Sequence, residues 1–156
     1  MASPRDDIER LIFTYAERID LGDFDGVADL LADAQVTAEG SDRVVSGRDG
    51  VRAMYEQSTR RYPGGTPLTK HLTTNVVIEV DDDDDDRAAA RSYFTVLQAV
   101  PGALALQPII AGRYRDRFER EWFEGAGGAW HFAARHITVD LTGDLGHHLL
   151  FELPPR

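Results

Sequence analysis

The chain has 156 residues, 42% of them apolar and 9% aromatic, which suits one soluble globular domain burying about two-thirds of its unfolded surface. A formal charge of −10 disfavours nucleic acid and anionic membranes as partners. The lack of cysteine excludes disulfides, thiolate metal sites and cysteine nucleophiles.

Ile8, Leu11, Ile12, Tyr15 and Ile19 recur at spacings of three and four, which predicts an amphipathic first helix. Ser3 and Pro4 start it, and Gly22 stops it. Asp23 or Asp25 caps a short second helix with Val27, Leu30 and Leu31 on its apolar face. Residues 34–46 read as a short strand pair turning at Gly40-Ser41-Asp42, with Val36 in one arm and Val44-Val45 in the other. A third helix runs from Gly47 towards Pro63-Gly64-Gly65, with Val51, Met54 and Tyr55 on its inner face.

From Lys70 the period becomes that of a sheet. Leu72, Val76, Ile78 and Val80 form one alternating set, and Ala88–Val100 is a second long strand broken by Pro101-Gly102. Two more strands, Ile109–Phe123 and Trp130–Leu141, are joined across Gly125–Gly128. The expected architecture is α+β, with three N-terminal helices on a mostly antiparallel sheet. It forms a single domain with a core of about residues 5–142 and a tail from 143 to 156. Asp81–Asp86 carries much of the net charge. It lacks the interleaved spacing of a calcium loop and reads as a solvated hairpin tip.

No apolar run approaches the roughly 18–20 residues that span a bilayer, and residues 1–7 carry no signal-peptide core. The expectation is therefore a cytoplasmic protein without a membrane partner. His147-His148 has no supporting ligand spacing, so no metal is expected. Neither a phosphate-binding glycine loop nor a nucleophile elbow is present, and no cofactor is expected.

Two residues stand out as candidate chemistry. Asp20 ends the first helix, where the helix dipole disfavours a carboxylate, so either a cap role or a partner elsewhere has to account for it. His71 opens the first long strand, and strict alternation sets it with Thr73, Asn75 and Val77, opposite Leu72 and Ile78. That mixed face suits a small-molecule pocket wall, and equally a local hydrogen bond. In the last strand, alternation groups Arg135 with His131 and sets Trp130 on the other face. Tyr15, Tyr55, Tyr93 and Tyr114 are pocket or ordinary core residues.

The order and spacing of several pieces resemble the SnoaL-like proteins of the nuclear transport factor 2 superfamily. The pieces are Tyr15 with Ile19–Asp25, Leu30–Asp33, Gly47–Val51, His71–Asn75, Ala90–Tyr93, Gly112–Asp116 and Trp130–Asp140. The resemblance spans about residues 5–142 and implies a cone-shaped α+β barrel whose curved sheet and three helices surround a deep pocket. It is strongest to the branch of scytalone dehydratase and hexachlorocyclohexane dehydrochlorinase. By that resemblance Asp20 would hold His71 as a general base, and Trp130 to Arg135 repeats a tryptophan–arginine spacing. Tyr15 stands where the dehydrochlorinase carries a lysine, and His131 is the candidate second histidine. The implied function is a cofactor-free lyase or isomerase acting on a small apolar, aromatic or polyketide-like molecule. Asp20, His71, Arg135 and Tyr15 would be catalytic, with Asn75, Tyr55, Tyr93, Tyr114 and His131 lining the pocket. Residues 101–108 or the apolar tail would close it, or the tail would join a homo-oligomer, dimer or trimer. An epoxide-type hydrolase, a dioxygenase small subunit and a non-catalytic binding protein are the alternatives.

Overall fold

The computed structural model describes residues 2–154; Met1 and the last two residues of the expected tail lie outside the described residues. Helix α1 spans Pro4–Asp20, opened by a reciprocal cap in which the Ser3 and Asp6 side chains bind each other's backbone N–H groups. Gly22 ends it at φ 70°, a conformation glycine adopts without strain. Asp23 caps α2, Phe24–Leu30, by accepting from the Gly26 N–H at 2.8 Å. Helix α3 covers Arg48–Ser58 and stops earlier than its downstream Pro-Gly signal suggests. Thr59 is extended there and bridges to Leu149, so a tertiary contact draws the chain out of the helix.

Six strands form one open, curved sheet: β1 Gln35–Ala38, β2 Val45–Ser46, β3 Thr69–Val80, β4 Arg87–Val100, β5 Leu104–Phe123 and β6 Gly127–Thr142. Their order is β2-β1-β6-β5-β4-β3. Every pair is antiparallel except β1 with β6, so the sheet is mixed and mostly antiparallel. Residues 104–108, expected as a closing loop, belong to β5 and pair with β4.

Bulges give the sheet its curvature and reset which residues face inwards. In β3, Asn75 and Val76 together oppose Ser92 alone, because the register jumps between Thr74 and Val77. Asn75 takes a left-handed φ of 53°, which asparagine tolerates better than most residues. In β6, Ala133 is the extra residue between the Arg117–Ala134 and Phe118–Phe132 pairs.

The core lies between the inner sheet face and the helices. Ile8, Ile12, Tyr15 and Ile19 of α1, Phe24 and Val27 of α2, and Val51 and Tyr55 of α3 pack on Phe94, Tyr114, Phe118 and Phe132. Gly112 is required where β5 meets β6, because a Cβ there would collide with the Thr138 carbonyl oxygen and press on the Phe94 ring. The Asp81–Asp86 tip is not wholly free. Asp86 accepts from Arg120 Nε at 2.7 Å and from Trp122 Nε1 at 3.0 Å, folding the tip onto β5. Among the described residues no helix is long and apolar enough to cross a membrane.

Candidate active site

Helix α1 packs against β3, bringing the helix-end carboxylate to the first turn of the strand. Asp20 Oδ1 accepts from His71 Nδ1 at 2.6 Å and from Thr69 Oγ1 at 2.8 Å, and Oδ2 accepts from the His71 backbone N–H at 2.8 Å. Three donors thus justify a carboxylate at the unfavourable end of a helix dipole. Burial opposes the charge on Asp20, but the His71 hydrogen bond and imidazole, aided by Thr69, more than offset it and hold the carboxyl below its ordinary range. An ionised carboxylate only accepts, so Nδ1 carries the proton of the neutral imidazole and the Nε2 lone pair is left for chemistry. Both side chains are about one-tenth exposed.

Deeper in the core stands a charged pair. Arg135 donates from Nε and Nη2 to the two oxygens of Asp116, both at 2.8 Å, and both side chains are buried. The guanidinium carbon lies 3.9 Å from the Tyr114 ring centroid and 4.2 Å from that of Tyr15. Burial disfavours its charge, yet Asp116 more than compensates and raises its pKa. Among the described residues its buried Nη1 finds no hydrogen-bond partner, nor does the buried Ser92 Oγ. The Tyr15 and Tyr55 hydroxyls share a 2.6 Å hydrogen bond, and burial and Tyr15 push the Tyr55 pKa well up.

Arg135, Tyr15, Tyr55 and Tyr114 thus form one buried cluster, while Asp20 and His71 pair at the contact of α1 with β3. The other three expected pocket residues lie elsewhere. Asn75 is exposed at the β3 bulge, and Tyr93 is 52% exposed on the outer sheet face. His131 alternates away from the inward Trp130 and Phe132, with its Nδ1 3.2 Å from the Phe132 carbonyl oxygen. The bulges explain the differences in facing. Ala133 shifts the phase of β6, so Arg135 joins Trp130 inwards instead of opposing it. The β3 bulge likewise puts His71 in phase with Ile78 and turns Leu72 out to solvent.

Sequence reasoning missed Thr69, Asp116 and His148. Asp116 had a signal, since it continues the inward set of Tyr114 and Phe118. Two surface grooves, of about 710 and 510 Å³, share Gln35, Glu79, Ala89 and Arg117; neither includes Asp20 or His71. Among the described residues no three histidine or acidic side chains converge as metal ligands would.

The SnoaL-like domain family model matches residues 1–136. Among solved structures, Rv3472 of Mycobacterium tuberculosis, a protein of unknown function, is 27% identical at a TM-score of 0.65, covering 86% of this chain and 74% of its own. LinA is 22% identical at a TM-score of 0.66, over 97% of this chain and 94% of its own. A provisionally assigned scytalone dehydratase from Novosphingobium aromaticivorans is also 22% identical at 0.66, over 88% and 85%. No curated protein matches the sequence.

Proposed function

The chain belongs to the SnoaL-like domain family, and from that premise we propose that it is a small-molecule lyase or isomerase using His71 as a general base. One observation carries the reading: the hydrogen bonds that orient the His71 ring through Asp20. The likeness in fold to LinA and to the scytalone dehydratase assignment supports the same class.

In this reading His71 Nε2 removes a proton from carbon beside a carbonyl. Asp20 fixes the tautomer and stabilises the imidazolium, an arrangement that typically contributes about 10²–10⁴-fold. The C–H electron pair passes into a new double bond. In an elimination, the leaving group departs with its own pair and takes up a proton. In an isomerisation, the proton returns at a second carbon. Arg135 Nη1 supplies a donor towards developing negative charge, and the Tyr15–Tyr55 hydroxyl pair supplies a proton donor near it. The Asp20 and His71 side chains are only about one-tenth exposed, which limits water at the base and favours elimination over hydrolysis. The substrate class is a small, largely apolar, cyclic or polyketide-like carbonyl compound.

The test needs no natural substrate. Proton exchange at the carbons beside the 2-tetralone carbonyl is followed by NMR in D2O. His71→Ala keeps the backbone N–H bond to Asp20 and the Thr69 bond, so the fold is retained. Wild type accelerates exchange, and the variant is slower by about 10²–10⁴-fold. Equal rates for the two proteins would sink the reading.

A further inference from the structure

The chain does not trail away after β6. Arg60 N–H donates to the His148 carbonyl at 2.8 Å, Leu150 N–H to Ser58 at 3.0 Å, and Leu149 bridges Thr59. The His147 carbonyl accepts from Tyr62 Oη at 2.6 Å and from Gln98 Nε2 at 3.0 Å. Gln98 is in turn the cross-strand partner of Thr69, whose hydroxyl binds Asp20. Residues 145–150 are thus a strap tied to the end of α3 and to Gln98 of β4, one cross-strand pair away from the Thr69 that binds Asp20.

Within this strap the His148 side chain is buried, at 7% exposure, although Leu150 and Phe151 next to it are half exposed. Its Nδ1 is buried with no hydrogen-bond partner among the described residues. A strap that only sealed an apolar cavity would bury one of those neighbours and expose the imidazole, since a buried unpaired nitrogen loses its hydration with no return. The groups that act on it electrostatically are the His71 imidazole and the Asp20 carboxylate. Burial first, and His71 second, disfavour a charge on His148, while Asp20 offsets part of this. The balance lowers its pKa to about 4 and leaves a neutral ring at pH 7.

We propose that His148 is a substrate-binding residue, a neutral imidazole that the C-terminal strap holds beside His71 with Nδ1 offered to a carbonyl or hydroxyl oxygen of the substrate. The inference rests on the reading of His71 and Asp20 as a proton-abstracting pair and adds a specificity element to it. A neutral His148 does not compete for the proton that His71 takes up. It selects oxygen-bearing ligands over hydrocarbons of equal shape, because only the former satisfy its buried nitrogen.

The experiment compares two probes, 2-tetralone and its oxygen-free counterpart tetralin, on the full-length ¹⁵N-labelled protein and on His148→Phe, which keeps ring bulk and removes the nitrogens. Ring-nitrogen NMR resonances of His71 and His148 report contact, and titration gives Kd. The expected result is about tenfold tighter binding of 2-tetralone by wild type, with His148 responding to the ketone but not to tetralin. In His148→Phe the preference falls to within about twofold while tetralin affinity holds. If His71 responds to 2-tetralone but His148 is silent, or the variant keeps the full preference, the inference is overturned and the function reading stands. If neither ring responds to either probe, both are overturned. Should His148→Phe fail to fold, the wild-type resonances alone decide between these outcomes.

Discussion

Replacing Asp116 by asparagine would keep the side-chain shape and remove the carboxylate that pairs with the Arg135 guanidinium. Both side chains have almost no solvent contact, at 0% and 1%, so water cannot take over the role of the lost charge. Breaking a buried pair by removing one partner costs about 3–5 kcal/mol. The faces of Tyr114 and Tyr15, at 3.9 and 4.2 Å, remain and still stabilise the cation, which favours the lower end. A loss of about 3 kcal/mol is a large part of the roughly 5–15 kcal/mol that holds a domain folded. For a chain of this length it lowers Tm by about 6–12 °C. The contrast is the double variant Asp116→Leu with Arg135→Met, which removes both charges and is expected within about 2 kcal/mol of wild type, or above it. Urea unfolding followed by circular dichroism and tryptophan fluorescence measures all three proteins. An Asp116→Asn protein within 1 kcal/mol of wild type, or a double variant less stable than the single, would refute the reasoning.

The remaining expectations concern acid stability and close packing. His148 has its pKa depressed in the folded state, from 6.5 to about 4, so the unfolded chain takes up this proton first. Its contribution is present in full above pH 6.5 and is lost as pH falls towards 4, a gap worth about 3 kcal/mol at 1.36 kcal/mol per pH unit. Urea melts of wild type and His148→Phe at pH 7, 6, 5 and 4 should diverge by this amount, with wild type falling faster; parallel curves would contradict it. Gly112→Ala forces a methyl group against the Thr138 carbonyl oxygen and the Phe94 ring, and is expected to cost at least about 1–3 kcal/mol. A thermal melt superimposing on wild type would show that the contact can relax.

Much of this architecture is legible in the chain because it rests on local rules. The α1 periodicity, the Ser3 and Asp23 caps and the alternation of β4 all appear in the structure as their residue types suggest. The facing of β3 and β6 does not follow by the same rule. Counting by twos from Ile78 puts His71 on the wrong side, because one extra residue at Asn75–Val76 reverses the phase. The same happens between Trp130 and Arg135, where no residue type announces the bulge and two alanines carry it. Which carboxylate meets Arg135 depends on cross-strand register, which a single strand cannot specify. The strap escapes pattern reading for a related reason: its partners at Ser58, Arg60 and Gln98 come from two distant elements.

The parallel pairing of β1 with β6 has a consequence for the timing of synthesis. Thr37 meets His136 across 99 residues, so β1 leaves the ribosome with its inner neighbour still unmade. At roughly 5–20 residues per second that wait lasts on the order of 5–20 s. Asp20 and His71 are both available early in this interval, Arg135 arrives as the sheet closes, and the residues around His148 follow it. The growing chain thus holds the Asp20–His71 pair first, its buried cation second and the strap after both, with β1 left without its parallel neighbour in between.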